Sequence, residues 1–156
     1  MKYIKLLLFF FSILMLSSCG YKKLNSEKIN DFKIEKLEIN GEKRLAYTLK
    51  NNIEIYSTAN SQFAVDIKIY LTSSKEAKIK NASGKNTRYT TELQVDTLIT
   101  NTYSKHVYKK TFNSTNDYDV GLTHSDTLNN EKNATENNLN FISSEIIKYL
   151  KLLSLQ

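Results

Sequence analysis

The chain has 156 residues, of which 24% are charged, and its formal net charge is +6 at pH 7. This length suits a single domain behind a short leader. The basic excess is modest and lacks the clustered Lys/Arg and stacking aromatics of a nucleic-acid interface, so no nucleic-acid partner is expected. The single cysteine excludes a disulfide framework and a cysteine-based metal site.

The first twenty residues have the layout of an export signal. Lys2 and Lys5 precede an apolar run over residues 6–16, which leads into Ser17-Ser18-Cys19-Gly20. The run is shorter than the ~20 apolar residues that span a bilayer, so a permanent membrane helix is disfavoured. The segment Leu16-Ser17-Ser18-Cys19 resembles the bacterial lipobox, in which the signal is removed before the cysteine and diacylglycerol is attached to its sulfur.

This resemblance implies that Cys19 is the lipid attachment site. The alternative is an ordinary secretion signal in which the cysteine is incidental. Gly20 stands where Asp would usually retain a lipoprotein at the inner membrane, so a lipid anchor at the periplasmic face of the cell outer membrane is expected. We therefore expect a signal peptide at residues 1–18, a lipidated tether at residues 19–30 and a single α/β sandwich domain at residues 31–156.

Apolar spacing predicts a strand and then a helix at the start of the domain. Between Phe32 and Ile39 the alternation changes register near Lys36, as it does at a β-bulge. After this strand, four residues fall on one helical stripe, namely Leu45, Leu49, Ile53 and Tyr56.

Period-two alternation predicts three further strands. The first runs from residue 63 to residue 72 and is followed by a polar connection over residues 73–85. The second covers residues 89–99, and Asn101-Thr102 makes a turn into the third at residues 103–112.

Apolar residues recur at helical intervals from Thr135 to Leu153 and predict a long closing helix. The order β-α-β-β-β-α predicts an α+β fold, a four-stranded mixed sheet with two helices packed on one face. The other face has no cover from its own chain and is either solvated or a docking surface. It carries Asp66, Lys68, Tyr70, Glu92, Gln94 and Asp96.

No catalytic motif is recognisable, and the glycines form neither a phosphate loop nor a Gly-x-Ser-x-Gly elbow. His106, expected in mid-strand, and His124, expected in a loop, lack a second ligand at metal-binding spacing. Asp117 and Asp119 mimic a paired-carboxylate site, but we expect them to serve the geometry of a loop. We expect neither an enzyme nor a bound metal or cofactor.

The segment from Lys78 to Arg88 is the basic stretch of interest. It is either a solvated hairpin connection or an anion contact, because exposed lysines are ordinary. Lys105, Lys109 and Lys110 on the neighbouring strand would extend it into a patch.

Four stretches, taken in order, resemble the LPS-assembly lipoprotein (LptE-like) family in its alphaproteobacterial form. Order and spacing agree over nearly the whole chain, although there is no proline after the Cys-Gly-aromatic start and Asn replaces alanine in the final helix. The stretches are Cys19-Gly20-Tyr21, residues 83–89 opening a strand, Tyr118-Asp119-Val120, and residues 131–134 entering a helix that ends at residues 146–150.

The resemblance implies two helices on one side of a four-stranded sheet, which the element order predicts independently. It also implies an outer-membrane lipoprotein that plugs a large β-barrel and assists the assembly of this translocon, which inserts lipopolysaccharide into the outer leaflet. The alternative is an auxiliary lipoprotein of a phospholipid-trafficking ABC transport system. The candidate contacts with lipopolysaccharide phosphates are Lys85, Arg88, Lys109 and Lys110.

Overall fold

The structure, a computed structural model, describes residues 31–155. The predicted signal peptide, the tether and the lipid attachment at Cys19 lie outside these residues. The predicted order β-α-β-β-β-α is confirmed, and with it the α+β fold built on a four-stranded mixed sheet. The elements are β1 (Lys33–Asn40), α1 (Lys43–Glu54), β2 (Ala64–Lys80), β3 (Asn86–Asn101), β4 (Val107–Asp119) and α2 (His124–Leu153).

The strands follow chain order across the sheet, β1-β2-β3-β4. β1 is parallel to β2, with α1 as the connection, and the other neighbours are antiparallel. The pairing of β1 shifts register between Ile34 and Lys36, which confirms the predicted bulge. Because of this shift, the apolar residues of β1 on both sides of the bulge pair with the buried residues of β2: Ile34 with Val65, Leu37 with Ile67, and Ile39 with Ile69.

Both helices contribute apolar side chains to one core against the sheet. Leu49 and Ile53 of α1 and Ile146 and Leu150 of α2 have no exposed surface. Burying such a side chain stabilises the fold by about 1.5–3 kcal/mol relative to leaving it exposed. Tyr56, expected on the stripe of α1, lies beyond the end of that helix and is half exposed, so this expectation is wrong. The strand residues of the core include Val65, Ile67, Ile69, Leu71, Leu93, Val95, Ile99 and Phe112.

β1 ends about halfway along β2. Its last residue, Asn40, pairs with Tyr70, and Gly41 then takes a φ of 145°. A Cβ at Gly41 would lie 2.5 Å from the backbone oxygen of Leu71, so the chain leaves the sheet through a close approach that requires glycine. Beyond this point β2 pairs with β3 alone, and residues 71–80 form an edge of the sheet.

The hairpin of β2 and β3 is longer than the apolar pattern predicts. Residues 73–80 continue β2 and only residues 81–85 connect it to β3, so the predicted polar connection is wrong for most of its length. The apolar alternation ends at Leu71 because every residue from Thr72 to Lys80 is exposed. Pairing with β3, which does not depend on side-chain type, continues the strand.

β4 begins and ends later than the predicted strand. Asp117 and Asp119 are therefore strand residues, and the expectation of a loop is wrong. His106 lies in the turn before β4 and not in mid-strand. Asn101 accounts for this, because its Oδ1 accepts two backbone N–H groups of the turn at 2.9 Å each and so lengthens the connection.

α2 begins at His124, well before the predicted start at Thr135, so His124 is helical and not in a loop. The hydroxyl of Thr123 accepts the N–H of Asp126 at 3.1 Å, and the carboxylate of Asp126 accepts the N–H of Thr123 at 3.0 Å. This reciprocal capping box satisfies N–H groups that have no partner within the helix. The cap, rather than an apolar stripe, marks where the helix begins.

Candidate functional site

The basic hairpin segment, residues 78–88, contains the tight turn between β2 and β3. Oδ1 of Asn81 accepts the backbone N–H groups of Ser83 and Lys85 at 3.1 and 3.0 Å. Gly84 has a φ of 78°, which lies in the region that favours glycine. The turn leaves the side chain of Lys85 exposed near the tip of the hairpin.

Two other cations of this segment contact carboxylates of β4. Nε and Nη2 of Arg88 donate to the two carboxylate oxygens of Asp119 at 2.6 and 3.2 Å. These hydrogen bonds raise the pKa of Arg88 and lower the pKa of Asp119. Lys78 Nζ donates to Asp117 at 2.5 Å, which lowers the pKa of that carboxyl group. An anion that binds here must compete with two acidic side chains.

The four predicted anion contacts do not form one patch. Lys109 pairs with Leu98 of β3, whereas Arg88 pairs with Asp119, and the roughly ten residues between those positions of β3 correspond to about 33 Å. Lys109 and Lys110 are consecutive strand residues and so point to opposite faces of the sheet. Nζ of Lys110 lies 4.3 Å from the ring centroid of Tyr149 of α2, on the helix side.

A cleft of about 470 Å³ lies between the start of α1, the first half of α2 and the helix side of the hairpin. At its rim Lys75 Nζ donates to Glu131 Oε2 at 2.8 Å, and the hydroxyl of Tyr118 donates to the same oxygen at 3.0 Å. The Tyr118 ring stacks on Tyr89 with 5.6 Å between centroids, and Lys75 Nζ lies 5.2 Å from the Tyr89 centroid. This group links β2, β3, β4 and α2.

The charges at this rim stabilise one another. Burial acts to raise the pKa of Glu131, but the hydrogen bonds from Lys75 and Tyr118 outweigh it and hold that pKa below its usual range. The hydrogen bond to Glu131 raises the pKa of Lys75. Burial and the Glu131 carboxylate raise the pKa of Tyr118. The group is therefore a charged lysine, a charged glutamate and a neutral tyrosine at pH 7.

Asn138 is a fully buried polar residue in the same region. Its Oδ1 accepts hydrogen bonds from Ser114 Oγ at 2.8 Å and from Asn116 Nδ2 at 2.7 Å. Its Nδ2 lies 3.1 Å from Thr91 Oγ1 and 3.2 Å from the Thr91 carbonyl oxygen, to which it donates. Sequence reasoning missed this residue, although position 138 lies four residues before Ile142 and thus on the buried stripe of α2.

The sheet face without helices is polar over most of its length, with the apolar Leu98 and Val107 near the turn between β3 and β4. Lys68, Tyr70, Glu92 and Gln94 are exposed, and Asp66 and Asp96 are partly exposed. Neighbouring polar side chains bind one another: Thr111 Oγ1 donates to Asp96 at 2.6 Å, and Lys68 Nζ lies 3.8 Å from Glu38. All six residues predicted for the uncovered face are thus accessible to solvent or to a partner.

Among residues 31–155, neither helix has the length and apolar character of a membrane span. Nor does this part of the chain group three or more His, Cys, Asp or Glu side chains as metal ligands.

No family model and no curated protein matches the chain, but solved structures share its fold. Rare lipoprotein B from Shewanella oneidensis has a TM-score of 0.61 at 11% identity, over 79% of this chain and 96% of that chain. An uncharacterized lipoprotein B from Nitrosomonas europaea has a TM-score of 0.58 at 11% identity, over 81% and 88%. A minor lipoprotein from Acinetobacter baumannii has a TM-score of 0.51 at 15% identity, over 80% and 94%. At these identities the likeness establishes the fold alone.

Proposed function

We propose that the chain is a non-enzymatic lipoprotein, anchored through Cys19 at the periplasmic face of the outer membrane. In this proposal it plugs a large β-barrel and assists the assembly of that translocon, which inserts lipopolysaccharide into the outer leaflet. The lipobox, the family resemblance over nearly the whole chain and the fold shared with lipoproteins of other bacteria support the proposal. The observation that carries the plug role is the polar, uncovered face of the sheet.

A plug needs polar surfaces because the lumen of a large outer-membrane barrel is polar. The sheet face meets this need with exposed Glu92 and Gln94 and with side chains such as Thr111 and Asp96 that bind one another. The length of the hairpin also fits. β2 has 17 residues and so extends about 55 Å, more than the ~25 Å height of the apolar band of a barrel.

Photocrosslinking in cells tests the plug role. A photoreactive residue replaces Gln94 on the sheet face in one variant and Asn137 on the exposed side of α2 in another. A domain enclosed by a barrel wall is expected to crosslink to the same large β-barrel from both positions. Crosslinks from one face only contradict enclosure, and capture of a soluble partner without a barrel contradicts the function. The same probes in a C19A chain measure how much crosslinking to the barrel remains without the lipid anchor.

Depletion separates the proposal from the phospholipid-transport alternative. Loss of lipopolysaccharide from the cell surface is expected if the chain serves its translocon. Misplaced phospholipid with normal surface lipopolysaccharide would support the alternative instead. Both lipids are measured in the same depleted cells, so that one experiment decides between the two functions.

The predicted lipopolysaccharide contacts require two separate charge reversals. K85E/R88E changes the hairpin and K109E/K110E changes the region about 33 Å away along β3. Weaker binding of lipopolysaccharide is expected for K85E/R88E, because it reverses the charge of exposed Lys85 and leaves Asp119 beside a second carboxylate. If a double variant binds lipopolysaccharide as the wild type does, the two residues changed in it are not contacts.

A further inference from the structure

Exposed apolar and basic side chains meet where the two helices end. We call this the basal surface and define it by Ile55, Tyr56, Lys148, Lys151, Leu152 and Leu155. Ile55 directly follows α1, and Leu152 and Leu155 lie at the end of α2. The exposed fraction is 75% for Ile55, 55% for Leu152 and 64% for Leu155. A single exposed aliphatic side chain is ordinary, but a cluster of them beside lysines calls for a partner.

Contacts across the two helices join four of these residues, and Leu152 and Leu155 follow Lys151 along the chain. Nζ of Lys151 lies 6.0 Å from the ring centroid of Tyr56. A groove of about 340 Å³ between the helix ends is lined by Ile55, Tyr56, Lys148 and Lys151. Lys148 Nζ also lies 2.7 Å from Glu145 Oε1, so a lipid phosphate that binds Lys148 competes with this carboxylate. The groove thus has two cations at its rim and a mixed lining, in which apolar side chains alternate with the polar side chains of Asn52, Asn140, Ser143 and Ser144.

The basal surface lies at the end of the domain where the chain enters from the predicted tether. The carbonyl oxygen of Asp31 accepts a hydrogen bond from Ser61 Oγ at 2.6 Å, and the carbonyl oxygen of Phe32 accepts one from Thr58 N at 2.9 Å. Residues 58–61 come shortly after Ile55, so the first described residues are at the same end as the end of α1. Residues 19–30 reach at most about 40 Å even when fully extended.

We propose that, before the domain enters a barrel, the basal surface docks on the anionic phospholipid leaflet that holds the lipid anchor. The inference rests on the proposed anchor at Cys19. Ile55, Leu152 and Leu155 insert at the depth of the headgroups, and Lys148 and Lys151 contact lipid phosphates, because peripheral membrane surfaces combine apolar burial with basic charge. The tether keeps this surface at a high effective concentration beside the bilayer, so a weak contact suffices.

The test uses the acylated full chain in vesicles of phosphatidylethanolamine and phosphatidylglycerol. S154C places a thiol beside the basal surface and A82C places one in the hairpin turn, while the sulfur of Cys19 is blocked by its lipid. Each thiol carries an environment-sensitive fluorophore. The label at residue 154 is expected to emit at shorter wavelength than the label at residue 82. It is also expected to be quenched several-fold more strongly by a quencher attached to lipid headgroups.

Charge reversal provides the matched comparison. K148E/K151E is expected to remove most of the quenching of the residue 154 label. K43E/K132E makes the same change in net charge on exposed helix residues away from the basal surface, and it is expected to retain the quenching. Equal quenching of both labels on a chain that stays with the vesicles overturns the basal surface but not the anchor. If the chain carries no acyl groups and washes off the vesicles, the proposed anchor is wrong. The basal surface proposal, which rests on that anchor, is then wrong as well.

Discussion

Replacing Asn138 with alanine tests whether the polar group under α2 holds that helix on the sheet. N138A removes hydrogen bonds to Ser114, Asn116 and Thr91 at 2.7–3.2 Å. Losing a bond to a group that water can reach costs about 0.5 kcal/mol, whereas a buried group left without a partner costs ~1–3 kcal/mol. Ser114 and Asn116 are only partly buried and regain water, so the penalty falls mainly on Thr91. We therefore expect a loss of about 3 kcal/mol in the free energy of unfolding.

Urea unfolding followed by circular dichroism measures this loss. With a slope of about 1.5 kcal/mol per molar urea, the unfolding midpoint should fall by about 2 M. N137A is the matched control, because Asn137 is the exposed neighbour on the same helix, and its midpoint should change by less than about 0.3 M. Equal midpoints for N138A and N137A would refute the role given to this residue.

Three further variants test the turn, the ion pair and the cap. G41A should destabilise by more than about 2 kcal/mol, since its Cβ would meet the Leu71 oxygen at 2.5 Å; a normal melting temperature would contradict the close approach. E131Q should be less stable than wild type above the unfolded pKa of about 4.3. Because the folded pKa of Glu131 is lowered, this difference should vanish as pH falls through that lower value; a constant difference in pH-dependent melts would contradict it. T123A should cost about 1 kcal/mol in urea unfolding, because the N–H of Asp126 loses its acceptor; S125A, at an exposed residue of the same turn, serves as the control, and equal costs would contradict the cap.

Apolar periodicity predicts the parts of this fold where one face is buried. Leu49 and Ile53 of α1 and Ile67 and Ile69 of β2 fall on their predicted faces, and all four have at most 1% of their surface exposed. The bulge near Lys36 is also readable, because the register of apolar residues changes there. In these segments the buried positions are apolar, so the spacing of apolar residues predicts which face of the element is buried.

Apolar periodicity gives no signal where both faces of a strand are exposed to solvent. Residues 73–80 are exposed throughout, and backbone pairing with β3 holds them in place. The same limit applies to Asp117 and Asp119, whose partners Lys78 and Arg88 come from other strands. Such ion pairs across strands depend on the register, which single-sequence spacing does not fix.

The candidate site was predictable only in part. Lys85 is exposed near the hairpin tip, as the basic segment indicates, but the register separates it from Lys109. Apolar spacing does not detect Asn138, Lys75 or Glu131, because their side chains are polar and such side chains are expected to face water. The spacing of Thr123 and Asp126 would have located the start of α2, since a hydroxyl residue followed three positions later by an acid is a capping signature.

The parallel pairing of β1 with β2 has a mechanical consequence. The predicted tether continues directly into β1, and β1 runs away from that entry point along β2. Tension on the tether therefore pulls β1 along its own axis, in shear, and loads its backbone hydrogen bonds to β2 together instead of opening them one after another. When the tether pulls on the domain, all the hydrogen bonds between β1 and β2 therefore resist the force together.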